Sequence, residues 1–252
     1  VSKTRQPGRL WIEEPDKDFP FYNGKPIKIS TGKWAIIIGF LIFGFILLTK
    51  MNLPFIPFKV NEFLQTISLP LFAVLGLYLT IGGYTKKLFR PLHKKDILTI
   101  IVFAILSLIV SSALSGVVGA LSGGVKANPA AAVHGGTDAL PQFLWSRFLT
   151  IIQLFGEEFM ALIPLLACLT FFYHRNPHKR KRAVWLALIC SSLIFGLLHL
   201  PTYQWDFTQC IFVIGLGRII DSLAYVKTKN LLVTYIAHVI YDLSIYTFAF
   251  LA

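Results

Sequence analysis

The stretch FLTIIQLFGEEFMALIPLLACLTFF, residues 148–172, decides how the rest of the chain is read. A bilayer crossing takes about 17–25 residues of mostly apolar helix, and this stretch is that long. Its only charges are the adjacent Glu157 and Glu158. An ionisable side chain in hydrocarbon costs roughly 2.5 kcal/mol or more unless it is paired or wetted. Two carboxylates at mid-span therefore need partners or water.

Working outward, other apolar runs follow the same rule. The chain is 55% hydrophobic and 14% charged, with 22 Phe. That composition excludes an ordinary soluble domain and implies an all-α polytopic bundle. Seven spans are expected, at 34–49, 62–84, 97–121, 143–172, 183–200, 208–226 and 231–251. The fourth is long for one crossing, which leaves an eighth element open: its first turns, 139–152, counted separately as a helix along the interface. Residues 1–33 read as an irregular cytoplasmic tail, docked through Trp11, Phe19, Phe21 and Tyr22. The bundle would then occupy 34–252. The polar start has no short apolar core with a cleavage site, so no signal peptide is expected.

The net charge of +12 is explained by topology. Lys and Arg number seven in 1–33, five in 85–96, five in 173–182 and two in 227–230. The alternating segments 50–61, 122–142 and 201–207 hold three. This asymmetry places the N-terminus on the cytoplasmic side of a cell membrane. It also explains the charge as attraction to anionic lipid, with no nucleic-acid partner required. Cys168, Cys190 and Cys210 all fall inside apolar runs without metal-ligand spacing, and read as packing residues. The Gly- and Ala-rich 122–142 segment, with Pro129 and Pro141, reads as an external loop.

Two more runs carry costly polar groups. One reads Phe195-Gly-Leu-Leu-His199, the other His238-Val-Ile-Tyr-Asp242. Adjacent residues on a helix point about 100° apart, so only one glutamate faces a given cavity. Pro164, downstream, removes a backbone hydrogen bond near the carboxylates. His238 and Asp242 share one helix face, so Asp242 could hold one imidazole nitrogen and free the other. At 1.5 Å per residue, Glu157 and His199 both lie roughly 22–24 Å from the inner ends of their helices. His238 comes out only roughly 10 Å deep, a mismatch that the hydropathy pattern leaves standing.

The ordered set Glu-Glu, Phe-x-x-x-His, His-x-x-x-Asp resembles the CPBP family of intramembrane proteases, also called the Abi or CAAX-protease-and-bacteriocin-processing family. The likeness spans roughly 97–251. Leu154-Phe-Gly-Glu-Glu and His199-Leu-Pro-Thr-Tyr are similar to versions from Gram-positive bacteria, where the family is associated with bacteriocin immunity and peptide maturation. The resemblance implies a catalytic set of Glu157, Glu158, His199, His238 and Asp242. It also implies a membrane-associated peptide or protein as substrate.

The family signature is Glu-Glu-x-x-x-Arg, and the Arg position here is Leu162. Arg147 is too far along the same helix to replace it. Arg218 could replace it, or could pair with Asp221 three residues on. Two mechanisms fit the residues. In one, a zinc ion is held by Glu157, His199 and His238. In the other, Glu157 with His199 activates water and His238 stabilises the oxyanion. An ionised Asp242 would repel an oxyanion, so it would orient His238 or ligate the metal; a protonated Asp242 could donate. Three functions are compatible: an intramembrane endopeptidase, a non-catalytic member that modulates a membrane partner, and a proton-coupled transporter using the carboxylates as a relay.

Overall fold

The computed structural model describes residues 8–131 and 138–251. The first seven residues of the expected tail, part of the expected external loop (132–137) and Ala252 lie outside the described residues. Among the described residues, seven helical segments are long and apolar enough to cross a membrane. They are α1 (Thr31–Lys50), α2 (Phe58–Ile81), α3 (Lys94–Ser122), α4 (Ala139–Arg175), α5 (Arg180–Leu198), the segment Gln209–Thr228 that ends in α6 (Leu216–Thr228), and α7 (Leu231–Leu251). A π-helical segment, Gln209–Gly215, leads into α6. Among the described residues there is no strand.

The helix α4 is the axis of the bundle. Its apolar window is the most deeply covered of the seven. It packs against α1, α2, α5 and α7, while α3 lies on α6 and α7. An isolated apolar helix has no reason to choose neighbours in lipid, so close backbone approach and polar pairing must select them. Gly156 supplies the first: a Cβ there would come within 2.7–2.9 Å of Leu69 and Pro70 on α2. At Gly196 a Cβ would collide with the Cys210 carbonyl and meet Gly215 at 3.1 Å. Thus α5 crosses the π-helical segment backbone to backbone, just before His199.

One alternative is settled and one expectation is corrected. The fourth span is one continuous helix of 37 residues, with no separate interfacial helix at 139–152. Its first turns are held along the bundle by polar contacts. The Trp145 indole donates to Glu62 at 2.9 Å, and the buried Arg147 donates to the Ala130 carbonyl. Pro164 lies inside this continuous helix.

The correction concerns the tail. Phe19, Phe21 and Tyr22 are buried, but Trp11 is 80% exposed. The tail's polar anchor is Glu13 instead. It accepts two hydrogen bonds from Arg180, at 2.7 and 2.8 Å, and lies 3.0 Å from the Lys229 ammonium. Burial alone would raise the Glu13 pKa, but Arg180 and Lys229 overrule it and hold the group at about 2. Lys229 is fully buried, with its ammonium 3.8 Å from the Phe19 ring centroid; burial pulls its pKa down to about 8 against the attraction of Glu13.

Candidate active site

Glu157 and Glu158 leave α4 in different directions and meet different partners. Glu157 faces a cavity of about 470 Å³ that Phe195, His199, Arg218, His238 and Asp242 also line. One Glu157 oxygen accepts from Gln153, one turn earlier, at 2.8 Å. The other lies 3.8 Å from Nε2 of His199. That gap is too long for a direct hydrogen bond. One water oxygen could sit about 2.8 Å from both atoms.

His199 stands at the C-cap of α5. Its Nδ1 lies 2.8 Å from the Phe195 carbonyl oxygen, which only accepts, so Nδ1 carries the hydrogen. The lone pair of a neutral imidazole is then on Nε2, the atom facing Glu157. Phe195, at a ring-centroid distance of 4.5 Å, packs against the imidazole. The Phe-x-x-x-His spacing therefore does two things through one turn of helix: it supplies the carbonyl that fixes the tautomer and the ring that fixes the plane.

Glu158 is 1% exposed and makes a buried three-helix junction. Its Oε1 lies 2.9 Å from the Arg218 guanidinium of α6 and 2.8 Å from Nδ1 of His238 on α7. Guanidinium hydrogens can only be donated. The shorter His238 contact is therefore Nδ1–H donating to Glu158, with Arg218 approaching the same nitrogen at 3.2 Å. Arg218 also covers the Phe195 ring at 4.8 Å. It is 3.9 Å from Asp221, so its principal partner is Glu158. Asp221 accepts from Ser107 of α3. Leu162 borders the same small void as Glu158 and Arg218. The cation missing from position 162 is thus supplied from α6.

Asp242 lines the same cavity but is not hydrogen-bonded to His238. It lies 3.9 Å from Nε2 of His238, beyond hydrogen-bond reach, and accepts weakly from Tyr246 at 3.4 Å. Glu158 orients His238 in its place. The apparent depth mismatch of His238 does not prevent the contact.

Sequence reasoning missed most of the cavity's other polar wall. Ser111, Ser112 and Ser115 of α3 line it, with Tyr203, Tyr241 and Tyr246. Three serines within five residues of an otherwise apolar helix were the available signal. Asn128 donates to Tyr246 at 3.0 Å, tying the loop after α3 to α7.

Nδ1 of His199 and Nδ1 of His238 are each taken by a protein acceptor, which leaves both Nε2 atoms for a water or a metal. Among the described residues no group of three His, Cys, Asp or Glu side chains is gathered closely enough to hold a metal ion.

The fold and this site define a multi-pass membrane protein built around a buried glutamate–histidine cavity. Residues 138–244, which contain both glutamates and both histidines, match the family model described as type II CAAX prenyl endopeptidase Rce1-like. This segment, less than half of the chain, is therefore similar to the CAAX-type intramembrane proteases of the CPBP family. No curated protein and no solved structure matched the chain.

Proposed function

We propose that the protein is an intramembrane endopeptidase that hydrolyses a membrane-associated peptide, with Glu157 as general base. The observation that carries this reading is the facing pair, Glu157 and His199, 3.8 Å apart on the wall of a polar cavity deep in the bundle. A water held between them loses its proton to Glu157 as its oxygen attacks the scissile carbonyl carbon. The carbonyl π pair moves to oxygen. His238, protonated on both nitrogens between Glu158 and Asp242, offers Nε2–H to that oxyanion. Collapse of the tetrahedral intermediate breaks the C–N bond, and the leaving amine takes the proton from Glu157. Glu158 and Arg218 act through His238 and are positioning residues.

The protein would sit in the cell membrane with its N-terminus cytoplasmic, acting in peptide maturation or bacteriocin immunity. The test compares membrane peptides, by mass spectrometry, from cells producing wild type or Glu157→Gln at equal levels. New peptide termini present only with wild type support the proposal. Identical termini, with biological activity intact in Glu157→Gln, would favour a non-catalytic family member that modulates a partner.

A further inference from the structure

A second cavity, of about 590 Å³, lies far from the glutamates, between the start of α1 and the end of α4. Its walls are graded. On α4 the lining runs from Ala167 through Phe171 to His174 and Arg175, roughly 12 Å along the axis. On the opposite wall it runs from Trp34 of α1 back to Lys28 at the end of the tail. The two helices arrive here from opposite directions, so both walls change from apolar to cationic toward the same membrane face.

Two features of this cavity, Lys28 and the Trp34 indole, point to a ligand, and Arg175 stands beside them. Lys28 and Arg175 form no ion pair with any carboxylate among the described residues, and none of the lining residues is acidic. Trp34 is 7% exposed, and its indole N–H has no hydrogen-bond partner. A buried donor left unsatisfied costs about 1–3 kcal/mol. A cation at the last turn of α4 is explained by the helix dipole alone, which covers Arg175 but neither Lys28 nor the indole. Arg175 already rests over the Phe171 ring, at 4.4 Å from its centroid.

We propose that this cavity is a binding site for one anionic phospholipid. Its acyl chains lie against Ala167 and Phe171, the indole N–H of Trp34 donates to an oxygen of the glycerol–phosphate region, and Lys28 and Arg175 hold the phosphate. A zwitterionic headgroup fits less well, because its cationic half would meet three basic side chains and no acid. A free anion would leave the apolar half of the cavity without an occupant.

The test is lipid retention by the detergent-purified full chain, read by native mass spectrometry, with dioleoyl phosphatidylglycerol and dioleoyl phosphatidylcholine as probes. Wild type should retain one phosphatidylglycerol at least tenfold more strongly than phosphatidylcholine. Removing two surface cations from an anionic lipid site weakens it by roughly 10- to 30-fold. Lys28→Gln/Arg175→Gln should lose that much phosphatidylglycerol affinity and leave phosphatidylcholine unchanged. Trp34→Phe, which keeps a ring and removes the donor, should lose less. Lys86→Gln/Lys87→Gln, two exposed cations at the same end of the bundle, should change nothing. The proposal is overturned by equal retention of the two lipids. It is also overturned by an effect of the Lys86/Lys87 pair as large as that of Lys28/Arg175, or by displacement of the lipid with inorganic phosphate alone. A variant that fails to fold is identified by its unfolding midpoint; Trp34→Phe then carries the test, and unchanged phosphatidylglycerol retention in it overturns the proposal.

Discussion

The Glu158–Arg218 pair permits a swap experiment whose outcome the geometry sets in advance. Both groups are almost wholly buried, at 1% and 3% exposure, and 2.9 Å apart. Removing one partner of a buried pair costs about 3–5 kcal/mol when the other charge is left alone; Glu158 keeps His238 as a second partner, which sets the loss at the low end, about 3 kcal/mol. Arg218→Leu should therefore lower stability by that amount, a large fraction of the roughly 5–15 kcal/mol typical of a folded domain. Leu162 is four residues after Glu158, on the same helix face, and borders the same void as Arg218. Leu162→Arg alone adds a second buried cation and should destabilise. Together, Leu162→Arg/Arg218→Leu returns one cation to Glu158 and places leucine where the guanidinium was. The double variant should be more stable than the sum of the single changes by about 2 kcal/mol, within the range of couplings between touching residues. The assay is the unfolding midpoint of detergent-purified protein, with yield of monodisperse protein as a second reading. Simple additivity, or an Arg218→Leu variant as stable as wild type, would refute the reasoning.

Three further outcomes follow from the site and the tail. Glu157→Gln and His199→Ala should each reduce turnover by about 10²–10⁴-fold with the fold intact, and the double variant should lose little more, because the two act as a unit; rates on one cleaved peptide decide it. Asp242→Asn should keep turnover within about tenfold of wild type, since His238 is oriented by Glu158 and the Asp242 contact, at 3.9 Å, is not a hydrogen bond. Glu13, held at about 2 when docked, should lend the tail stability that is complete above its ordinary value near 4.5 and lost as pH falls toward 2. Limited proteolysis should find the tail cut more readily at pH 3 than at pH 6, and Glu13→Gln should be cut readily at both.

What the sequence disclosed, and what it hid, follows from the range of the interactions. Spans are written in local hydropathy, which is why α7 begins at Leu231 as expected. The cost of charge in lipid pointed to Glu157, Glu158, His199 and His238 before any geometry was known. Pairings between helices have no local signature. Arg218 looked equally suited to Asp221, three residues away, and only the packing of α6 against α5 and α7 turns it toward Glu158. The same holds for Glu13, whose partners Arg180 and Lys229 are distant in sequence. Among the neighbouring Glu14, Asp16 and Asp18, nothing in the local sequence sets it apart. The continuity of α4 was hidden because length alone left a break open. The contacts of Trp145 and Arg147 that keep its first turns in the bundle belong to α2 and to the loop after α3.

The central claim is that Glu157 delivers a water oxygen to a peptide carbonyl. The direct measurement is single-turnover cleavage by purified, reconstituted protein in ¹⁸O-labelled water, using a peptide whose cleavage depends on Glu157. The account predicts ¹⁸O in the new carboxyl terminus of the product, none in the Glu157 side chain, and no cleavage by Glu157→Gln. Label in the Glu157 carboxylate, or cleavage by Glu157→Gln at the wild-type rate, would contradict it.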